Sequence, residues 1–394
     1  MRNLVFHLCI LIFLACFNFP ICCFDNHHHH HHVQNKAKAL FVFGDSLYDP
    51  GNNNYIDYPS AYRADFKPYG ESFFEYPTGR FSDGRLIPDF IAEFANLPVI
   101  PSYYQALYNH SINDGVNFAS AGAGCLDETY SGKVISLNSQ LGNFKIIIEK
   151  LKTELGEMDS EALLSNAVYL FSIANNDYLR LFDVPDIPSD ISCLAYTTEQ
   201  EYMNMVMDSF VAVIMEIYKL GGRKFGIQNL LPLGCLPRFR GLALLKEGPR
   251  SDCLDALNSI VRKHNLALLQ KLKQFNKELR GFECSYFSIF DALNELFQNP
   301  STYGFTEAKS ACCGFGPYRG FGICGTAEAY ELCNNVKEHV IFDPYHPTEK
   351  ASHHFARVWW HGDPNVVESQ SLKSLFAVSP SPSSVANFSH SASA

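Results

Sequence analysis

The sequence predicts an α/β fold, a doubly wound parallel sheet covered by helices on both faces. Its 394 residues are 47% hydrophobic and only 18% charged, which supplies enough apolar surface for one sizeable core. Short β-branched or aromatic runs alternate along the chain with longer segments whose apolar residues recur at helical spacing. This alternation favours a doubly wound layout, and near-continuous apolar strands are typical of a parallel sheet buried on both faces.

Five strands and three long helices are predicted from these patterns. In chain order, the strands are expected at residues 39–45, 115–120, 166–174, 224–230 and 284–290. The helices are expected at residues 137–156, 199–222 and 253–279, and the glycines that end the second pattern suit a C-cap. The Gly- and Cys-rich stretch from about 306 to 335 is predicted to be a loop stapled by disulfides.

The two ends of the chain predict segments outside the fold. Residues 1–24 combine a basic Arg2 with a short apolar run and then small or thiol side chains, the layout of a secretory signal peptide. A membrane anchor is the alternative, but the run is shorter than the roughly 20 residues that a span needs. Residues 25–36 contain six consecutive histidines, typical of a purification tag, and an N-terminal linker. The folded domain is expected at 37–365, followed by a C-terminal segment, 366–394, that ends in a disordered Ser/Pro-rich tail.

Charge and hydropathy exclude two classes of partner. The formal net charge is −10 and no dense Lys/Arg block is present, so the chain lacks the counterion release that drives nucleic-acid binding. No segment after the first 24 residues is apolar enough to span a membrane, so integral membrane association is not expected. An exported chain is open to glycosylation, and the sequons at Asn109 and Asn387 are the candidate sites.

Cysteine usage agrees with export. Nine of the thirteen cysteines lie beyond the signal segment; most are expected to pair, and the odd total leaves at least one thiol free or paired outside the chain. Cys235 and Cys253 flank a compact loop and are an expected pair. Four further cysteines are candidates either for zinc or for disulfides: Cys312, Cys313, Cys324 and Cys333. Two adjacent cysteines lack the usual zinc-ligand spacing, which favours disulfides whose connectivity stays open.

Four polar signatures lie after predicted strands or near the end of the fold. Residues 44–46, Gly-Asp-Ser, follow the first strand; Gly122 and Gly124 follow the second; residues 175–177, Asn-Asn-Asp, follow the third. The fourth signature is "FDPYHPTE", residues 342–349. In a doubly wound sheet, ligands bind outside the carboxyl ends of the strands. The four signatures therefore predict one functional edge of one sheet.

A serine and a histidine in these signatures suit nucleophilic catalysis. A serine hydroxyl attacks a carbonyl when a base takes its proton, and imidazole suits this role near neutral pH. His346 is the candidate base because Asp343, three residues earlier, is placed to accept its other ring N–H. An Asp-Pro-x-His turn alone is compatible with an inert surface loop. Its combination with Ser46 favours catalysis.

Acyl transfer also needs donors for the tetrahedral oxyanion, supplied by backbone N–H groups and amide side chains. Gly122 lets the backbone approach a substrate without a side chain, and Asn176 offers an amide N–H. The alternatives are a simple turn glycine and an Asx turn.

These residues lie in stretches that resemble a known family. The stretches "FVFGDSLYDPGNNN", "GVNFASAGAG", "IANNDY" and "FDPYHPTE" resemble the four conserved blocks of the plant GDSL esterase/lipases, a branch of the SGNH hydrolases. The resemblance runs from about Ala39 to Trp360 and includes "PTGRFSDGRLIPDFIA" and "ACCGFG". The stretches "GRFSDGRLIPDFIAEFANLPVIP" and "YELCNNVKEHVIFDPYHPTEKA" look most similar to the secreted pathogen-response lipases of that family.

The resemblance implies a fold and a set of roles. The fold is a flavodoxin-like three-layer α/β/α sandwich with a mainly parallel five-stranded sheet, the SGNH hydrolase fold. The implied nucleophile is Ser46, the base His346 and its orienting carboxylate Asp343, while Gly122 and Asn176 join the Ser46 N–H in an oxyanion hole. One departure from the family pattern is Ala174, where glycine is usual, and its methyl group is expected to narrow the pocket floor.

The resulting expectation is a secreted serine carboxylester hydrolase that cleaves a lipid or small acyl ester through an acyl-enzyme. No metal or organic cofactor is expected, and the destination is the extracellular space or cell wall, with the vacuole as the alternative. A second reading is an acyltransferase that uses the same acyl-enzyme with an alcohol acceptor. A third is a catalytically silent, defence-associated binding protein. The sequence predicts no oligomeric state.

Three other sequence patterns were considered as functional sites. "GFGICG", residues 320–325, fits a dinucleotide-binding spacing but has no strand before it or helix after it, so that site is excluded. "DPGNNN", residues 49–54, lacks the alternating acidic ligands of a calcium loop and is predicted to shape the loop behind the serine. The aromatic stretches "PSYYQALY" and "ESFFEY" are expected to pack ordinarily, with the lining of an acyl pocket as the alternative.

Overall fold

The structure is a computed structural model, and it describes residues 38–57, 62–108, 110–182, 198–248, 252–322, 324–325 and 330–377. The predicted signal peptide and tag, the sequons at Asn109 and Asn387, Cys193 and the tail from residue 378 lie outside the described residues. Across the described ranges, no helix is both long enough and apolar enough to cross a membrane.

The described strands are β1 Leu40–Gly44, β2 Val168–Ser172, β3 Lys224–Gln228, β4 Glu283–Phe287, β5 Cys313–Gly314, β6 Glu331–Leu332 and β7 Val367–Glu368. Five of them form the central sheet in the spatial order β1-β2-β3-β4-β7, in which only β7 is antiparallel. Gly44 pairs with Ser172, and Ser172 with Gln228, so the first three strands end level. The predicted α/β class with a mainly parallel five-stranded sheet is confirmed.

The prediction of a strand at residues 115–120 is wrong. The segment runs beside β1, where the Val42 N–H donates to the Val116 carbonyl at 3.0 Å and the Phe118 N–H to the Val42 carbonyl at 2.8 Å. On its other side, Asn117 bridges to Ser102, and the Asn117 and Ala119 carbonyls accept N–H groups of the Asn52 side chain. The segment therefore forms only isolated bridges, to Val42 of β1 and to Ser102. The fifth strand of the sheet is β7, which the sequence patterns do not predict because it has only two residues.

The described helices are α1 Ile87–Phe94, α2 Tyr103–Leu107, α3 Leu137–Leu155, α4 Glu157–Asn166, α5 Asn175–Phe182, α6 Glu199–Lys219, α7 Pro237–Glu247, α8 Asp255–Glu278, α9 Ile289–Gln298, α10 Glu349–His361 and α11 Leu372–Leu375. The three long helices predicted from the sequence correspond to α3, α6 and α8. Ser136 and Thr198 start α3 and α6 because their side chains accept N–H groups of the first turn.

Aromatic rings fill the space between β1, β2 and α3. The Phe43 ring centroid lies 4.8 Å from that of Phe171 and 5.0 Å from that of Phe118, and Phe144 of α3 meets Phe43 edge-on at 5.6 Å. All four side chains are fully buried. Such pairs add about 0.5–1.5 kcal/mol each beyond the burial of apolar area. The carboxyl end of β1 is therefore held in place by closely packed aromatic side chains.

Three disulfides join the six candidate cysteines: Cys235–Cys253, Cys312–Cys333 and Cys313–Cys324. The first is the expected pair. The other two disulfides use all four cysteines that were considered as zinc ligands, so the alternative of a zinc site there is wrong. They cross-link the segment that contains β5 and β6. Cys125 and Cys284 are free thiols, and both are buried.

Candidate active site

Ser46 lies in the turn that directly follows β1. The turn is held by Asp45, whose N–H donates to the Ser172 carbonyl of β2 at 3.0 Å. The Asp45 carboxylate accepts the Leu47 N–H at 3.0 Å and the Asn175 amide at 3.0 Å. Burial raises the pKa of Asp45 to about 6, although these two hydrogen bonds oppose the shift. The buried carboxyl thus ties the serine turn to the end of β2.

Gln140 of α3 supports the same turn from the other side. Its side-chain oxygen accepts the Gly44 N–H at 2.9 Å, and its amide nitrogen donates to the Gly44 carbonyl at 2.8 Å. The pair of bonds fixes the last peptide groups of β1 before the serine. The sequence analysis missed Gln140, since a glutamine within a helical pattern carries no local signal.

Ser46, His346 and Asp343 form a continuous hydrogen-bonded chain. The His346 Nε2 atom lies 2.7 Å from the Ser46 Oγ atom. The His346 Nδ1 atom lies 2.7 Å and 2.8 Å from the two Asp343 carboxylate oxygens. The structure therefore brings together the three residues predicted as nucleophile, base and orienting carboxylate, although the serine and histidine are 300 positions apart.

The Asp343 carboxylate is buried and fully engaged. Its Oδ1 atom accepts the backbone N–H groups of Tyr345 and His346, both at 2.9 Å, and its Oδ2 atom accepts the Tyr69 hydroxyl at 2.8 Å. Burial alone favours the neutral acid, but the charge and hydrogen bond of His346, with these other donors, outweigh it and lower the pKa of Asp343. The group is thus an anion suited to stabilise an imidazolium.

The predicted oxyanion-hole residues line the same cavity as Ser46. Among the described residues, neither the Ser46 N–H nor the Gly122 N–H has a hydrogen-bond acceptor, so both are available to a ligand. Asn176, in the first turn of α5, is 8% exposed and donates one amide hydrogen to the Ala123 carbonyl at 2.9 Å. No other partner of this amide lies among the described residues, so its second hydrogen is available to a ligand.

The cavity beside Ser46 has a volume of about 210 Å³. Its walls are mostly aromatic or apolar, and the aromatic and apolar lining residues are Tyr62, Tyr69, Phe81, Ala121, Tyr130, Leu179, Pro344 and Tyr345. The sequence analysis missed these side chains, although four of them, Phe81, Ala121, Pro344 and Tyr345, lie inside the quoted stretches. None of the described residues that line the cavity comes from "PSYYQALY" or "ESFFEY". The alternative that these two stretches line the acyl pocket is therefore wrong.

The expectation that the Ala174 methyl group narrows the pocket floor is also wrong, because Ala174 is not among the described residues that line the cavity. The alanine at this position instead affects the backbone conformation. Ala174 lies between β2 and α5 with a φ of 83°, in the left-handed region that favours glycine. The turn that brings Asn176 to the cavity therefore holds a strained residue.

Metal-ligating side chains do not cluster in the described ranges: no group of three His, Cys, Asp or Glu residues is placed to hold an ion there.

Comparisons with known proteins identify the family of the chain. The family described as GDSL-like Lipase/Acylhydrolase matches residues 40–359. The chain is 42% identical over 372 residues to GDSL lipase of Tanacetum cinerariifolium, covering 94% of each protein. It is 44% identical over 359 residues to GDSL esterase/lipase 1 of Arabidopsis thaliana and 42% identical over 359 residues to GDSL esterase/lipase 2 of that plant, covering 90% of this chain and 93% of each relative.

The match includes every strand of the parallel part of the sheet and all five residues predicted to carry the chemistry. Relatives of this identity and coverage make the chain a carboxylic ester hydrolase. The chain belongs to the GDSL-like lipase/acylhydrolase family.

Proposed function

We propose that the protein is a secreted serine esterase that cleaves a carboxylic ester through an acyl-enzyme on Ser46. The observation that carries the proposal is the hydrogen-bonded chain from Ser46 through His346 to Asp343 beside a largely apolar cavity. The predicted signal peptide and the three disulfides support export, because such bonds persist in oxidising compartments.

The geometry suits a two-step acyl transfer. His346 Nε2 takes the proton of Ser46 Oγ as that oxygen attacks the ester carbonyl, and Asp343 stabilises the imidazolium. The N–H groups of Ser46 and Gly122 and the Asn176 amide bind the oxyanion. The alcohol leaves with the proton from His346, which leaves an acyl group on Ser46. Water then attacks this ester with His346 as base and releases the acid.

The cavity favours a compact acyl group. At about 210 Å³ it is smaller than the roughly 300–1,000 Å³ of pockets that enclose drug-sized ligands. Its aromatic walls provide flat apolar surfaces for an acyl group. We therefore assign small acyl esters as the preferred substrates over long-chain lipids.

The direct test is hydrolysis of p-nitrophenyl esters by a Ser46→Ala variant. We expect kcat to fall at least about a thousandfold with the fold intact, because removal of the nucleophile disables the whole catalytic unit. Ser285→Ala is the matched control, since this buried serine of β4 bonds the Gln370 carbonyl and Trp359 outside the cavity. Undiminished turnover by Ser46→Ala would contradict the proposal.

The same assay separates hydrolysis from transfer. The acid and any new ester are measured with and without an added alcohol. A hydrolase releases mainly acid in both cases, whereas an acyltransferase forms mainly the new ester when the alcohol is present.

A further inference from the structure

We propose that Asn53 is a positioning residue of the oxyanion hole: it holds the peptide group between Ala121 and Gly122 so that the Gly122 N–H is presented to the substrate. The inference rests on the proposed function of the Ser46 site. It gives a role to the asparagine run, residues 52–54, which the catalytic chemistry itself does not use.

The Asn53 side chain is 1% exposed and makes hydrogen bonds from both ends of its amide. Its Nδ2 atom donates to the Tyr62 carbonyl at 2.7 Å and to the Ala121 carbonyl at 2.9 Å. Its Oδ1 atom accepts the Ser120 hydroxyl at 2.6 Å. Because a buried amide requires partners for these groups, the three bonds fix its orientation.

The bond to Ala121 acts directly on the predicted oxyanion donor. The Ala121 carbonyl and the Gly122 N–H belong to one planar peptide unit and point in opposite directions. A donor on that carbonyl therefore sets the direction of the N–H and polarises it. The preceding peptide group is also held, since the Ala121 N–H donates to the Asp49 carboxylate at 2.9 Å.

The bond to Tyr62 links the donor to the cavity wall. Gly122 has a φ of 84°, and a β-carbon there would lie 2.6 Å from the Tyr62 ring, so this ring packs directly on the glycine. Asn53 holds the Tyr62 carbonyl and the Ala121 carbonyl with one NH₂ group. One side chain thus sets the distance between the aromatic wall and the oxyanion donor.

Besides the backbone bridge between Asn117 and Ser102, side chains of the asparagine run hold carbonyl groups on this side of residues 115–121. Asn52 makes similar bonds, donating to the Asn117 and Ala119 carbonyls, both at 2.9 Å. It is as buried as Asn53, at 0% exposed, but its bonds reach neither Gly122 nor a cavity residue. Asn52 is therefore a matched control for the loss of a buried asparagine in this loop.

The test compares Asn53→Ala with Asn52→Ala in steady-state hydrolysis of a p-nitrophenyl ester. We expect kcat of Asn53→Ala to fall about 10- to 100-fold with KM within about threefold, since the N–H matters most in the transition state. The affinity for a trifluoromethyl ketone, which forms a tetrahedral adduct with the serine, should fall by the same factor as kcat/KM. Asn52→Ala should keep kcat within about threefold while also losing thermal stability, because it removes two buried hydrogen bonds.

Two results would overturn the inference: a folded Asn53→Ala variant with kcat within about threefold of the parent, or an equal loss in Asn52→Ala. If Asn53→Ala does not fold, Ser120→Ala decides, because it removes the hydroxyl that orients Asn53. We expect its kcat to fall about 3- to 10-fold at constant KM, and an unchanged kcat would refute the role of Asn53. A failure of the proposed function is recognised separately, because Ser46→Ala would then retain activity.

Discussion

At the scale of single residues, Asp343 shows how the surroundings of a buried carboxyl group set its pKa and therefore its charge. A buried carboxylate is costly unless donors surround it. Asp343 receives the His346 imidazole, two backbone N–H groups and the Tyr69 hydroxyl, and its pKa is lowered. Asp45 receives only two donors, and burial raises its pKa to about 6. The charge of the adjacent His346 imidazole separates the two carboxylates more than the number of donors does, since Asp49 accepts three N–H groups and its pKa is still raised to about 6.

Ala174, close to the candidate active site, has a strained backbone conformation. A non-glycine residue in the left-handed region costs about 1–3 kcal/mol. We expect Ala174→Gly to raise the free energy of unfolding by about 1 kcal/mol, measured by urea denaturation, because the relief of strain exceeds the entropy that glycine adds to the unfolded chain.

The control for this prediction is Ala167→Gly. Ala167 precedes β2, is equally buried and has an ordinary extended backbone with a φ of −63°. The same change there should lower the free energy of unfolding by about 0.5–1 kcal/mol. Equal destabilisation by both substitutions would show that the φ of Ala174 stores no strain.

At the scale of elements, the contact between α5 and α8 contains a buried histidine. The His264 Nδ1 atom of α8 lies 2.9 Å from the Tyr178 hydroxyl of α5. Burial lowers the pKa of His264 from 6.5 to about 3. The folded protein therefore excludes a proton that the unfolded chain accepts below pH 6.5.

This shift fixes the sign of a pH dependence. The stability that His264 contributes is present above pH 6.5 and is lost as the pH falls toward 3, since the unfolded chain then binds the additional proton. We expect the advantage of the parent over a His264→Gln variant to shrink by about 1.4 kcal/mol per pH unit between pH 6 and pH 4. Urea unfolding of both proteins at several pH values measures it.

Tyr178→Phe is the control, because it removes the partner hydroxyl and leaves the buried imidazole. Its unfolding free energy should follow the pH slope of the parent. Other buried groups, such as Asp49 and Asp177 with pKa values raised to about 6, titrate in all three proteins and cancel in the comparison. Parallel curves for the parent and His264→Gln would contradict the lowered pKa.

The elements differ in how well the sequence predicts them. β1 was predictable because its residues form a near-continuous apolar run, and α3 because its apolar residues recur at helical spacing. The residues of segment 115–120 are typical of a strand, and one side of the segment bonds the backbone of β1. On the other side, two of its carbonyls accept the side chain of Asn52, more than 60 positions earlier in the chain. A pattern within one segment carries no information about partners of that kind. For the same reason, β7, with two residues, shows no period at all.

At the scale of the whole molecule, the site joins distant parts of the chain at one edge of the sheet. Ser46, Gly122, Asn176 and His346 were identifiable because each lies in a short polar signature after an apolar run. The cavity walls were not, because residues such as Tyr62, Tyr130 and Leu179 come from separate loops and a helix face. Their convergence depends on the folded path of the chain rather than on any local spacing.

The measurement that tests the central claim most directly is the site of reaction with a fluorophosphonate. An activated serine forms a bond from Oγ to phosphorus and releases fluoride, and the proton of the hydroxyl is taken by the base. We expect mass spectrometry to find one adduct, on the peptide that contains Ser46, and we expect Asp343→Asn to slow its formation by about 10³- to 10⁴-fold. An adduct on another residue, or none on the folded protein, would contradict the account.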